Sequence, residues 1–121
     1  MILKQIDHVC LLVSDIYKAK LYYEKIFDFK CNLHPNDKKI LMVESEFVHF
    51  FLKETRLSQK LLKEQHISFE VKNIDKIIDV LKENNITDFE RDIFSSFKYK
   101  NYKWLEWRDP DGICLEVIEI I

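Results

Sequence analysis

Hydrophobic and polar residues follow one plan twice along the chain. Residues 6–13 alternate as a strand, and so do residues 65–71. Each run meets a short polar residue, Asp15 or Asn73, whose side-chain oxygen can cap a helix. Helical spacing follows in both: Ile16, Ala19, Tyr22, Tyr23 and Ile26 in the first, and Ile74, Ile77, Ile78 and Leu81 in the second. Setting "HVCLLVSDIYKAKLYYEKIF" above "HISFEVKNIDKIIDVLKENN" aligns them without a gap at an offset of 58 residues. His8 falls on His66, Val13 on Val71, Asp15 on Asn73 and Ile16 on Ile74. Such self-similarity reads as an internal duplication.

Three strand-like runs follow each helix. They lie at 29–33, 39–43 and 47–52 in the first half, with a turn at "NDKK", and at 88–93, 102–107 and 113–120 in the second. Each half is therefore strand, helix and three strands, a βαβββ module of the α+β class. The modules span 1–56 and 64–121 of a single domain, 1–121, and the charged segment 53–65 joins them, with Leu57, Leu61 and Leu62 at the spacing of a short helix.

The closing strands also align, more loosely. "FVHFFL" over "CLEVIE" sets His49 opposite Glu116 at an offset of 67, which requires about nine more loop residues in the second half. Residues i and i+2 share a strand face, so His8 goes with Cys10, His49 with Phe47 and Phe51, His66 with Ser68, and Glu116 with Cys114 and Ile118. Three imidazoles and one carboxylate at repeat-related places are the donor types of a divalent-metal site. A single strand histidine is ordinarily a hydrogen-bonded core or surface residue, and a strand carboxylate an ion-pair partner. Here three of the four histidines occupy these places, and His34, beside Pro35, is expected in a solvent-facing loop. Cys10 and Cys114 read as small buried hydrophobes, with a soft contribution to the site as the alternative.

Composition removes several classes. The 121 residues carry 19 basic and 21 acidic side chains, a net charge of -2, with no basic block interleaved with aromatics, so nucleic acid is not an expected partner. No run of 18 apolar residues occurs, so no membrane partner is expected, and the charged start "MILKQIDHV" does not read as a signal peptide. Three cysteines cannot all pair and match no zinc-ribbon spacing, which suits a reducing cytoplasm.

On "IDHVCLLVSDIYKAKLYYEKIFDF", "HISFEVKNIDKIIDVL" and "RDPDGICLEVIE" the chain resembles the vicinal oxygen chelate superfamily. That group holds glyoxalase I, fosfomycin-resistance thiol transferases, extradiol dioxygenases and bleomycin-resistance proteins. The resemblance implies two βαβββ modules whose curved mixed sheets form a metal-binding cup, often completed across a homodimer. By position it implies a metal triad of His8, His66 and Glu116, as in fosfomycin-resistance enzymes. Glyoxalase I has a glutamate as fourth ligand on the last strand of the first module, where this alignment offers His49. Bleomycin-binding members lack the triad.

The expectation is thus a metal-dependent lyase, isomerase or thiol transferase of the glyoxalase-like kind. It holds a divalent ion (Zn, Ni, Mn, Co or Fe) and acts on a small oxygen-bearing or electrophilic substrate. Glu116 or Glu106 would serve as catalytic carboxylate, the alternative for Glu106 being a surface residue paired with Arg108 or a lysine. A second reading is a non-enzymatic drug- or metabolite-binding protein walled by Phe47, Phe51 and Trp104. A third is an Fe(II) oxygenase.

Overall fold

A computed structural model describes residues 2–95, 98 and 100–121. The chain divides into two compact units, Met1–Leu62 and Lys63–Ile121. Each is a four-stranded mixed sheet with one long helix, an α+β arrangement.

The first unit runs β1 (Cys10–Val13), α1 (Ile16–Phe27), β2 (Lys30–His34), β3 (Asp37–Glu44), β4 (His49–Glu54) and a short α2 (Gln59–Leu62). Its strand order is β1-β4-β3-β2, with β1 parallel to β4 and the other pairs antiparallel. Asp15 starts α1 by accepting from the backbone N–H groups of Tyr17 and Lys18, and Asp28 ends it in the left-handed region at φ 57°. Ile16, Ala19, Tyr23 and Ile26 bury the inner side of α1, while Leu11, Val13, Leu41, Val43, Phe50 and Leu52 supply the alternate strand positions of the core.

The second unit repeats the plan with β5 (His66–Glu70), α3 (Ile74–Glu83), β6 (Phe89–Phe94), β7 (Tyr102–Arg108) and β8 (Cys114–Ile120), in the order β5-β8-β7-β6. Asn73 caps α3 through the N–H of Asp75. Ile74, Ile78 and Leu81 are buried, as are Phe69, Leu105, Trp107, Leu115 and Val117.

Both helices carry a second, long-range cap. The Ile16 N–H donates to Glu54 Oε1 at 3.2 Å, and the Ile74 N–H donates to Glu119 Oε1 at 2.8 Å. Each glutamate sits near the end of the strand parallel to the unit's first strand, so it ties the last strand to the first turn of the helix.

Several expected boundaries move. The first strand is four residues rather than eight: its pairing with β4 begins at Cys10 opposite Phe51, whose N–H donates to Val9 O at 2.8 Å. Residues 45–48 form a tight turn, closed by Ser45 N–H to Val48 O, which leaves Phe47 89% exposed. The β2–β3 turn falls on Pro35 and Asn36, so only the first residue of "NDKK" lies in it and the rest begins β3. His34 is the half-buried last residue of β2, not a solvent-facing loop residue; its ring lies 6.0 Å from that of Phe51.

The turn before β8 is built by Asp109, whose Oδ1 accepts from the N–H groups of Asp111 and Ile113, both at 2.9 Å. Gly112 adopts φ +82°, a conformation L side chains rarely take. Arg108 Nη1 then donates to Lys63 O at 3.0 Å and to Gly112 O at 3.1 Å, anchoring the turn to the start of the unit.

Candidate functional site

In each unit the helix covers one sheet face, and the chemistry lies on the other. In the second unit this face presents His66 and Ser68 on β5, Cys114, Glu116 and Ile118 on β8, Trp104 and Glu106 on β7, and Glu90 on β6. Trp107 points the opposite way, into the core, as alternation requires.

His66 and Glu116 meet. Nε2 of His66 lies 3.6 Å from Oε1 of Glu116; the imidazole is half exposed, and the carboxylate side chain retains 17% of its exposure. Glu116 faces Glu106 across β7–β8, and Glu106 faces Glu90 across β6–β7, so three carboxylates stand in one cross-strand row. Like charges directly opposite are unfavourable in a sheet.

Glu106 shares the face of Glu116 and has no ion pair among the described residues; its Oε2 instead accepts from the Cys114 thiol at 3.6 Å. The thiol is pushed up to about 11 by burial and then by the negative charge of Glu106, so it stays protonated as the donor. With Asp88, Phe89, Glu90, Trp107 and Arg108, Glu106 lines a cavity of about 220 Å³. Arg108, the expected partner of Glu106, is engaged with the two backbone carbonyls instead.

In the first unit His8 lies two residues before β1. Its ring stacks on Phe51 at 4.1 Å and stands 6.0 Å from that of His49. Nδ1 of His8 is 2.7 Å from Asp7 Oδ2, and this hydrogen bond holds the Asp7 carboxyl below its usual range. In the neutral tautomer that donates from Nδ1 to Asp7, Nε2 carries the lone pair.

The strand registers correct the alignment of the closing strands. β1 pairs Cys10 with Phe51, whereas β5 pairs Ser68 with Glu116. Ser68 lies 58 residues after Cys10, and Glu116 lies 65 after Phe51, the same 65 that separates the caps Glu54 and Glu119. Phe51, not His49, therefore holds the place of Glu116, and His49 holds that of Cys114. A two-residue shift keeps His49 on the same face, which is why alternation alone does not expose it. Glu44, directly opposite His49, also lies on that face and is absent from the sequence-based set; no spacing rule singles it out.

The structure thus brings His66 to Glu116 in one unit and His8 to His49 in the other. Among the described residues, no three His, Cys, Asp or Glu side chains are gathered closely enough to hold an ion unaided. No helix is long and apolar enough to cross a membrane.

Comparison with solved structures returns the same architecture. Virulence protein STM3117 from Salmonella typhimurium aligns over 100% of both chains with a TM-score of 0.79 at 19% identity. TnmS3, an antibiotic binding protein from Streptomyces sp. CB03234, aligns over 100% of this chain and 99% of its own, with a TM-score of 0.72 at 16% identity. The fosfomycin resistance protein FosX from Listeria monocytogenes, solved with Mn(II) and sulfate, aligns over 96% and 90%, with a TM-score of 0.69 at 16% identity. No protein of curated function matches significantly in sequence. The profile of the Glyoxalase/Bleomycin resistance protein/Dioxygenase superfamily matches residues 5–117, nearly the whole chain. The duplicated βαβββ plan and this match agree: the chain belongs to the glyoxalase/bleomycin resistance protein/dioxygenase superfamily.

Proposed function

We propose that the protein is a divalent-metal-dependent enzyme of the glyoxalase-like class, with His8, His66 and Glu116 as ligands and His49 as a fourth donor. The observation that carries this is the His66–Glu116 pair at 3.6 Å. Two donors bound to one ion at about 2.0–2.2 Å stand roughly 3.0–3.5 Å apart at octahedral or tetrahedral angles, so this pair needs to close by only a few tenths of an ångström. The donor set fits the ion: neutral imidazoles and a carboxylate suit borderline divalent cations. Asp7 can fix His8 as the partners of metal-bound histidines do, accepting a hydrogen bond from Nδ1–H and leaving Nε2 for the ion. A cation beside Glu116 would also relieve the row Glu90–Glu106–Glu116. FosX, of like fold, was solved with Mn(II).

Such an ion supplies Lewis acidity toward neighbouring oxygens of a small oxygen-bearing or electrophilic substrate. The chain supplies the base. Glu106 faces Glu116, lines the cavity, and has only one oxygen engaged by the Cys114 thiol. Its free oxygen is available to take a proton from carbon beside a carbonyl. Free Cys10, Cys31 and Cys114 suit a cytoplasmic location. We also propose a homodimer, which a monomeric mass at micromolar concentration would refute.

Metal analysis of the purified chain and calorimetric titration with Mn2+ and Zn2+ test the reading. One ion per chain is expected, lost in His66→Ala and weakened in Glu116→Gln. No binding above background, with the variants unchanged, refutes it.

A second reading, non-enzymatic capture of a drug or metabolite, is favoured by Phe51. An aromatic ring stands where the repeat would set a second carboxylate, and TnmS3 is an antibiotic binding protein of like fold. Ligand-induced thermal shifts in metal-free buffer, without turnover, would decide for it.

A further inference from the structure

The open face of the second sheet changes character along its strands. Cross-strand pairing sets its side chains in rows. One row holds Glu90, Glu106, Glu116 and Ser68. The next holds Asp92, Trp104, Ile118 and Glu70, and the last holds Phe94, Tyr102 and Ile120. The rings of Phe94 and Tyr102 stack at 5.7 Å with 24° between their planes. Phe94 and Ile120 are 41% and 43% exposed, and Tyr102, Trp104 and Ile118 are half-buried. Alternation turns these side chains away from Leu105, Trp107, Leu115 and Val117, which face the core, so α3 does not cover them. An aromatic and aliphatic shelf thus lies directly beside the carboxylate row.

We infer that this shelf is the apolar subsite of the protein's ligand, a small molecule with a planar aromatic group and no negative charge. The inference rests on the reading that the ligand lies over the His66–Glu116 end of this face, and it holds for turnover and for capture alike. Rows two residues apart along a strand are about 7 Å from each other. An aryl ring stacked on Trp104 therefore brings its substituent within reach of Glu106 and Glu116. Charge sets the class. Asp92 and Glu70 end the Trp104 row, Glu106 and Glu116 follow, and no lysine or arginine holds a paired position in these three rows. Arg108, one row further, is tied to the carbonyls of Lys63 and Gly112. On these rows a carboxylate or phosphonate meets only like charge, whereas an amine or a hydroxyl donates to the glutamates. An indole face also attracts a cation. A second copy of the chain suits the shelf less, because a two-fold contact would set the same acids against one another.

Titration of the full chain in metal-free buffer with 2-naphthylmethylamine, 2-naphthylmethanol, 2-naphthoate and cyclohexylmethylamine tests this. The readout is the pair of indole N–H signals in NMR, assigned with Trp104→Phe and Trp107→Phe. The Trp104 signal should shift saturably with the naphthyl amine and alcohol, while that of buried Trp107 stays in place. Naphthoate should bind at least about tenfold more weakly than the naphthyl amine, and cyclohexylmethylamine at least about fivefold more weakly. Trp104→Ala should weaken naphthyl amine binding by about fivefold or more, and Trp104→Phe should restore most of it. An unmoved Trp107 signal in Trp104→Ala reports an intact sheet. Equal affinity for naphthoate and the naphthyl amine in the unmodified chain overturns the inference, whatever the variants do. So does binding that leaves Trp104 unshifted. A Trp104 signal that answers to dilution and to none of the probes gives the shelf to a second copy and also overturns it. Divalent-ion binding without any probe binding overturns the shelf and leaves the proposed ligands standing. Probe binding at Trp104 in a chain that binds no ion does the reverse.

Discussion

The carboxylate caps give the most direct test of how the sheet positions its chemistry. Glu119 Oε1 accepts the Ile74 N–H at 2.8 Å, and Ile74 is 1% exposed, so no water takes the acceptor's place when it is removed. Glu119→Ala deletes a hydrogen bond to a charged group and leaves a buried donor unpaired, a loss of about 1.5–3 kcal/mol. The same substitution frees Lys103 Nζ, 3.7 Å from Glu119 Oε2. Exposed pairs of this kind contribute about 0–1 kcal/mol, and Lys103→Ala measures that share separately. Glu119→Gln keeps an acceptor but removes the charge from the helix start, costing about 0.3–1 kcal/mol. Glu54→Ala, whose bond is longer at 3.2 Å, falls at the low end of the range for the alanine change. Urea unfolding with a shared slope gives the differences. A Glu119→Ala loss below about 0.5 kcal/mol, or one matched by Lys103→Ala, refutes the cap as a structural tie.

Three further outcomes are expected. Gly112→Ala places a Cβ 3.1 Å from Lys63 Cβ at φ +82°; a loss of about 1–2 kcal/mol in urea unfolding is expected, and no loss would mean that the turn relaxes to accept the added methyl. Burial raises the Cys31 and Cys114 thiols from 9.0 to about 11, so the unfolded chain sheds these protons first; the stability they contribute is full below pH 9 and is lost as pH rises toward 11, and urea midpoints flat across that window in the native chain refute it. Phe51→Glu sets a carboxylate at the repeat-equivalent of Glu116 beside His8; calorimetry should show divalent-ion affinity raised roughly 10-fold or more, and a fall would show that the equivalence of register is not an equivalence of function.

The strand–helix–strand plan was legible because periods of 2 and 3.6 are direct consequences of burying one face. The duplicated offset of 58 then survived unchanged in the structure, through β1/β5 and α1/α3. Faces were legible for the same reason: Glu106 and Trp104 share one side and Trp107 the other. Register was not. A shift of two residues preserves every face, so alternation cannot tell His49 from Phe51 as the counterpart of Glu116; only the pairing of β4 with β1 does. The Glu54 and Glu119 caps were also hidden, since they join residues 38 and 45 apart, beyond any local capping signature. His8, outside β1, is held by stacking on Phe51 and by Asp7 rather than by strand pairing.

The strand orders carry a consequence for how the gene product can be handled. Every strand of the β1-β4-β3-β2 sheet comes from the first unit and every strand of the β5-β8-β7-β6 sheet from the second. The boundary of the units, Leu62–Lys63, falls after α2 and before β5. A protease nick or a designed break there severs the covalent link without cutting a single backbone ladder, and each fragment keeps its own helix caps. The chain is therefore suited to expression as two separate polypeptides, so that the histidines of one half can be isotopically labelled or substituted while those of the other are left native.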